Sequence, residues 1–368
     1  MSVGKAHFGG PDRPHAALRN LLSERVAAVP DGGSIDWVTY YFRDRRLAQD
    51  LLDAHQRGVD VRVTLEGRPR RTDANDQVIR MLEGPLGRRL RICRSIVDGR
   101  PLGKLLRARL HTKLYCFSHP HPVAMIGSFN PSSDEPEDHP DVIEEIGDHD
   151  RGHNALVEFQ GSALTEACVA HARRLHNSMS GLNPWRRLAP SANRAIRDGG
   201  VSIHFWPRAT AHPIKRFLFR LPVGSRVRLA TSHLSGTAAE RTLLGLVEQG
   251  IELEILTDQT DRRASPPLVE KLQRAGVRFA RVVYDEWFPM HNKFALVESN
   301  RGCHVIFGSF NWSRPSQRYN HEIGVIADDP GLFSAFAERW EILEAQVKKT
   351  GDRGNRDMTK PNGVEETR

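Results

Sequence analysis

A chain of 368 residues, 39% hydrophobic and 27% charged, can bury two cores of roughly 150–180 residues each, close to the usual domain size. Its net charge of +8 suits anionic partners, whether nucleic acid or an anionic membrane surface. No run approaches the roughly 18 apolar residues of a membrane span, and no charged start leads into an apolar export segment. A cytoplasmic protein, in peripheral contact with a membrane at most, is expected. In chain order, the first 14 residues read as a loose tail. Ile35 to Phe42 is a strand candidate, and Leu51 to Leu65 (LLDAHQRGVDVRVTL) reads as a helix end, a Gly and a period-two strand. A second helix over about 75–83, a short strand and a further pair of strands follow. Ala155 to Phe159 and a helix to about 178 close this set.

The same series then returns. Val227 to His233 is again a strand, and Leu243 to Thr257 (LLGLVEQGIELEILT) repeats the helix–Gly–strand signal. A helix over about 266–275, a short strand, a strand pair, Ile323 to Ala327 and a helix to about 347 complete the copy. The order β-α-β-α-β-β, repeated, predicts an α/β fold of two duplicated halves, each a mixed sheet with helices on both faces. The boundaries read as a first repeat over 1–182, a linker over 183–200 that holds two prolines and a Gly pair, a second repeat over 201–347, and a disordered tail over 348–368. The four cysteines (Cys93, Cys116, Cys168, Cys303) show no C-x-x-C spacing and read as buried reduced thiols.

Each copy carries one polar cluster. His111-Thr112-Lys113 and His291-Asn292-Lys293 share an H-x-K triplet, and Gly-Ser-Phe-Asn follows at 127–130 and again at 308–311. On a strand, side chains two apart share a face, so His111 with Lys113, His291 with Lys293, Ser128 with Asn130 and Ser309 with Asn311 are expected to converge. Facing copies would place two imidazoles, two ammoniums, two hydroxyls and two amides around a pocket one phosphate wide. Lysines and Ser/Asn donors there would neutralise non-bridging oxygens and stabilise a pentacoordinate transition state without a metal or other cofactor.

This constellation resembles the phospholipase D superfamily, whose signature is H-x-K-x4-D with G-S-x-N downstream. The resemblance implies one active site between the halves, with His111 as nucleophile, His291 as general acid and base, and a phosphohistidine intermediate. It also implies a carboxylate near each histidine. Glu322, in Asn320-His321-Glu322, is expected to orient His291, and either Asn154 or Glu145 to orient His111. Both copies depart from the signature at its Asp, which is Ser118 and Glu298 here. Those positions read as turn or capping residues, or as the mark of an impaired first site.

Other features keep two readings. Asp134 to His153 is dense in Asp, Glu and His, as a solvated loop at the pocket mouth or as metal ligands without recognised spacing. Arginine clusters stand at Arg68, Arg70 and Arg71, at Arg88, Arg89 and Arg91, and along Lys104, Arg107 and Arg109, the last leading into His111. Trp287, Phe288 and Trp312 could stack on a base, border an acyl chain, or be core. The functional reading is a metal-independent phosphodiesterase that cleaves a phospholipid or transfers its phosphatidyl group. A nuclease or nucleic-acid end-processing enzyme and a phosphate-binding pseudoenzyme are the alternatives. A duplicated site is complete in one chain, so a monomer is expected.

Overall fold

The computed structural model describes residues 3–71, 73–95, 108–132, 143, 145, 151–161, 163–177, 193–208, 212–283 and 288–351. The first sheet has seven strands: β1 (Gly4–Gly9), β2 (Ser34–Thr39), β3 (Asp60–Glu66), β4 (Leu90–Cys93), β5 (Leu114–Phe117), β6 (Val123–Gly127) and β7 (Asn154–Gln160). Their order across the sheet is β1-β7-β6-β5-β2-β3-β4. The second sheet comprises β8 (Ile196–Asp198), β9 (Val201–Phe205), β10 (Arg226–Thr231), β11 (Glu252–Asp258), β12 (Arg278–Val282), β13 (Lys293–Ser299), β14 (Gly302–Gly308) and β15 (Ile323–Ala327). Its order, β12-β11-β10-β13-β14-β15-β9-β8, repeats the first with β9 in the place of β1. In both sheets three strands run parallel through helical crossovers and the rest are antiparallel.

Helices cover the outer faces because their apolar residues recur every three to four positions. In α2 (Arg45–Gln56), which follows α1 (Ala17–Ala27), Leu47, Leu51 and Ala54 are buried, and the carboxylate of Asp44 caps the first turn at Leu47 N, 2.8 Å away. With α3 (Asp76–Leu86) these helices seal one core around Trp37, Val61 and Phe129. On the second sheet α5 (Pro213–Leu218), α6 (Thr237–Glu248) and α7 (Pro266–Arg274) seal another around Leu229, Leu253 and Phe310. Between the sheets lies a third core, shared by both halves. Here α4 (Ala163–His176) and α9 (Pro330–Gly351), which follows the short α8 (Arg314–Arg318), pack with Leu114, Val157 and Phe159 of the first sheet and Phe294, Phe307 and Val325 of the second. The rings of Phe159 and Phe307 meet across it, centroids 6.3 Å apart.

Several sequence expectations need correction. The amino-terminal segment is an edge strand, not a loose tail: β1 pairs with β7 from Gly4↔Phe159 to Gly9↔Asn154. It escapes a periodicity reading because Ala6 and Phe8 are its only apolar inward residues, and their burial depends on the shared core. The segment 183–200 is not all linker: its first ten residues lie outside the described ones, but β8 already pairs with β9. The last helix runs past 347 to Gly351, and the remainder of the tail lies outside the described residues. Cys93, Cys116 and Cys168 are buried as expected, but Cys303 is exposed near the start of β14, where that strand extends beyond the core.

The amino-terminal segment is locked to the second half by a buried charge. Arg339, on α9 and fully buried, donates to both Asp12 carboxylate oxygens at 2.7 and 2.8 Å and to Gly9 O at 2.8 Å. Removing it breaks the tie between Asp12 and α9 and frees the β1 edge, leaving Asp12 beside the exposed Arg13, 3.3 Å away. Arg339→Ala should cost about 3 kcal/mol of unfolding free energy, read from the urea midpoint at constant m. An unchanged midpoint would show that the shared core alone holds the halves together.

Candidate active site

The H-x-K triplets do not lie within strands, as the sequence suggests, but at their entrances: β5 begins at Leu114 and β13 at Lys293. Each triplet is held by the opposite half. Leu110 bridges to His321, with His111 N donating to His321 O at 2.9 Å and His321 N to Arg109 O at 2.8 Å. The counterpart joins Met290 to His153, with His291 N donating to His153 O at 3.0 Å. Below each triplet an acid at the end of a parallel strand accepts the N–H preceding the histidine. Glu66 takes Leu110 N at 2.7 Å and Asp258 takes Met290 N at 2.9 Å. These two acids were missed. The signal was there, since they stand one residue beyond the repeated helix–Gly–strand segments.

The bridging strands decide how the histidines are oriented, and they cross the pairing expected from the sequence. Glu322 follows His321, which runs beside the first triplet, so its Oε2 lies 2.9 Å from Nδ1 of His111. It does not orient His291. Asn154 follows His153 beside the second triplet, and its Oδ1 lies 2.9 Å from Nδ1 of His291, not of His111. Glu145 orients neither; its Oε2 sits between Arg70 and Arg262, one from each half, at 3.6 and 3.2 Å. A carboxylate only accepts, so Nδ1 of His111 carries the proton and Nε2 holds the lone pair. The Asn154 amide is fixed by its Nδ2, which donates to Gly152 O at 3.1 Å, leaving Oδ1 to accept from His291.

The repeated Gly-Ser-Phe-Asn supports these acceptors. A Cβ on Gly127 would lie 1.9 Å from Ala155 O, and one on Gly308 2.3 Å from Ile323 O, so only glycine lets each strand close on the one bearing Asn154 or Glu322. Ser128 and Ser309 were expected to bind substrate phosphate. Instead Ser128 Oγ donates to Asn154 Oδ1 at 3.2 Å and Ser309 Oγ to Glu322 Oε2 at 2.5 Å. Neither lines the cavity, because each serine follows a strand-ending glycine and turns toward the neighbouring strand. Phe129 and Phe310 anchor the two outer cores. Asn130 and Asn311 do reach the cavity. Asn130 Oδ1 is engaged by Tyr41 N at 3.2 Å, whereas Asn311 Oδ1 is buried without a protein partner.

The cavity between the halves has a volume of about 540 Å³, and its lining includes His111, His291, Arg70, Arg109, Tyr40 and His233. Tyr40, another residue missed, packs edge-on against His111 with centroids 5.2 Å apart and accepts from Arg109 at 3.1 Å. Lys113 and Lys293 are buried behind the histidines, each donating to its own histidine carbonyl, at 2.8 and 3.0 Å. Ser118 accepts from Ser34 N at 2.7 Å in a turn, and Glu298 pairs with Arg228 at 3.3 Å far along β13. Of the basic clusters, Arg70 and Arg109 line the cavity; Arg89 pairs with Asp60, and Lys104 and Arg107 lie outside the described residues. Trp312 belongs to the outer core and Phe288 is buried beneath Arg151; Trp287 and most of the acidic 134–150 stretch lie outside the described residues. Among the described residues no three His, Cys, Asp or Glu groups converge as metal ligands.

Two imidazoles at the wall of this cavity and two buried lysines behind them lie close together. Burial, with Lys113 and Lys293 nearby, holds His111 down at about 4 against the pull of Glu322. Burial brings Lys113 down to about 7, and burial with the neighbouring cations takes His291 and Lys293 well below their ordinary values. Glu322 is held low despite its burial, by His111 and Lys113. Three consequences follow for pH. An imidazole depressed on folding stabilises the protein above its unfolded value of 6.5, and this contribution is lost as pH falls toward about 4. An anion in the cavity relieves the cation repulsion and raises all four values. Sulfate, which does not itself titrate near neutrality, should therefore bind at pH 7 with net proton uptake and more weakly as pH rises. Calorimetry in buffers of different ionisation enthalpy measures this directly, and proton release would contradict it.

Known proteins share this organisation. The family described as "Cardiolipin synthase, PLD-like domain" matches twice, over residues 32–152 and 224–343. A mitochondrial cardiolipin hydrolase from Chlamydomonas reinhardtii is 25% identical over 179 residues, covering 42% of this chain and 78% of that protein. The Xenopus tropicalis protein of the same name is 31% identical over 103 residues, 28% of this chain and 47% of its own length. Among solved structures, a phosphatidylserine synthase from Haemophilus influenzae superposes with a TM-score of 0.68 at 12% identity, over 93% of this chain and 86% of that one. A polyphosphate kinase from Porphyromonas gingivalis gives 0.58 at 14%, over 93% and 50%. With its family match falling once on each half and covering well over half of the chain, this protein belongs to the phospholipase D superfamily and has its duplicated α/β fold.

Proposed function

We propose that the protein is a metal-independent phosphodiesterase that hydrolyses a phospholipid, or passes its phosphatidyl group to an alcohol, through a phosphohistidine on His111. The observation that carries this reading is the unequal pairing of the two histidines. Nε2 of His111 bonds to phosphorus as the bond to the leaving alcohol breaks, and the leaving oxygen takes a proton from Nε2 of His291. The phosphorylated ring of His111 is cationic, and Glu322 balances it. Asn154 holds His291 but cannot balance its charge, which keeps the protonated ring a strong acid suited to that donation. His291, now neutral, deprotonates water or an acceptor alcohol, whose oxygen attacks phosphorus and breaks the P–N bond. Lys113 and Lys293, with Asn130 and Asn311 at the cavity wall, neutralise the charge that develops on the non-bridging oxygens.

A lipid substrate is supported by the relatives that bear the names cardiolipin hydrolase and phosphatidylserine synthase. A nucleic-acid substrate is favoured by one feature, the arginines Arg70 and Arg109 at the cavity, which suit a polyanionic backbone. Purified protein in EDTA should release choline from phosphatidylcholine vesicles or convert cardiolipin to phosphatidic acid and phosphatidylglycerol, with His111→Ala inert. Cleavage of single- or double-stranded DNA alone, falling steeply with salt, would replace the lipid reading. Binding of a phosphodiester without turnover of any of these substrates would leave a phosphate-binding pseudoenzyme.

A further inference from the structure

A second and larger cavity, of about 880 Å³, opens on the second half away from the histidines. Its walls come from β8, β9, α5 and the ends of β14 and β15, and include Arg197, Arg208, Arg216, Arg220, His204 and His304. This cavity runs along β9 from the Ala327↔Val201 end of the β15–β9 pair to His204, which pairs with Gly324, and it shares no lining residue with the cavity at His111 and His291.

The chemistry of this cavity suits an anion. Four arginines and two carboxylates, Asp198 and Asp328, line it, and among the described residues no ion pair joins these six to one another. His204 is 4% exposed; its Nε2 bonds with Ser202 Oγ at 3.1 Å, and its Nδ1 is buried with no protein partner. Nε of Arg208 is likewise unpartnered, although its NH1 donates to Phe205 O at 3.4 Å and to Asn193 O. A buried guanidinium hydrogen left unused costs stability unless a ligand takes it up, and an anion beside His204 would favour its protonated ring, with a hydrogen on each nitrogen. Beside the cavity, the link from α5 to β10 carries Phe219, 44% exposed, and Val223, 77% exposed. These are the two large apolar side chains exposed among the described residues, and they flank Arg220. Arginines beside protruding apolar groups match a surface that is anionic at its face and apolar beneath.

We propose that this cavity binds the phosphate of an anionic lipid headgroup, with Phe219 and Val223 entering the lipid surface beside it. The proposal does not rest on the substrate assigned to the histidines, since it concerns attachment at a separate place. The test uses the full chain carrying His111→Ala, so that no lipid can be consumed, sedimented with phosphatidylglycerol-containing or pure phosphatidylcholine vesicles in low salt. Binding to the anionic vesicles is expected, with little to the neutral ones. Adding Arg216→Glu with Arg220→Glu should reduce the bound fraction at least fivefold, and adding Phe219→Ser with Val223→Ser should also reduce it. All four residues are at the surface or half-exposed there, and an unchanged thermal midpoint would show that the fold is retained. Equal binding by the charge-reversed protein overturns the proposal. So does arginine-dependent binding of inorganic phosphate, or of a DNA oligonucleotide, without vesicle binding, which would make this a free-phosphate or a nucleic-acid site.

Discussion

His111→Ala should lower turnover by about 10⁴-fold or more, because it removes the atom that bonds to phosphorus. His291→Ala should be as damaging with an ordinary alcohol leaving group, which needs a proton as it departs. The two variants separate on an activated diester. A p-nitrophenolate leaving group departs without a proton, so His291→Ala should release one equivalent of it in a burst and retain the phosphoryl group on His111. Intact-mass measurement under neutral denaturing conditions would detect the adduct. His111→Ala should show neither burst nor adduct. An adduct on His111→Ala, and none on His291→Ala, would reverse the roles.

Glu322→Gln tests the crossed pairing itself and should cost about 10²–10⁴-fold in turnover. A neutral amide cannot balance the cationic ring, and its NH₂ group can favour the wrong tautomer, as happens when the acid of a Ser-His-Asp triad is made an amide. Crossed pairing places this loss in formation of the adduct on His111, even with the activated diester. If Glu322 served His291, adduct formation would be untouched and only its hydrolysis slowed. Asn154→Asp is the complementary change. A carboxylate 2.9 Å from His291 would raise the pKa of that ring and make its proton harder to give. A rate change within about tenfold, with the pH profile displaced upward, is expected. An unshifted profile would mean that His291 does not carry the proton.

Several features of the site were open to sequence reading because they are written twice. The two H-x-K triplets and the two Gly-Ser-Phe-Asn runs identify each other, and the repeated helix–Gly–strand segments set them in equivalent places. The serines were misread because alternation within a strand was carried one residue too far. β6 ends at Gly127 and β14 at Gly308, and beyond those glycines Ser128 and Ser309 turn toward Asn154 and Glu322. Tyr40 and His233 carry no motif and reach the cavity only because β2 and β10 end beside it.

Duplication, the α/β class and the paired histidines, lysines and asparagines are legible in the residues alone, since all of these follow from local period and repetition. Which acceptor serves which histidine depends on contacts made in the folded chain. Glu322 lies 31 residues from His291 and 211 from His111, yet it bonds to His111. The reason is the pair of short bridges at which each half runs beside the other's triplet, Leu110 with His321 and Met290 with His153. Those bridges form because the inner faces of both sheets bury their apolar residues against each other in one shared core. Alignment of one half on the other matches equivalent residues, but it carries no information about contacts between the halves.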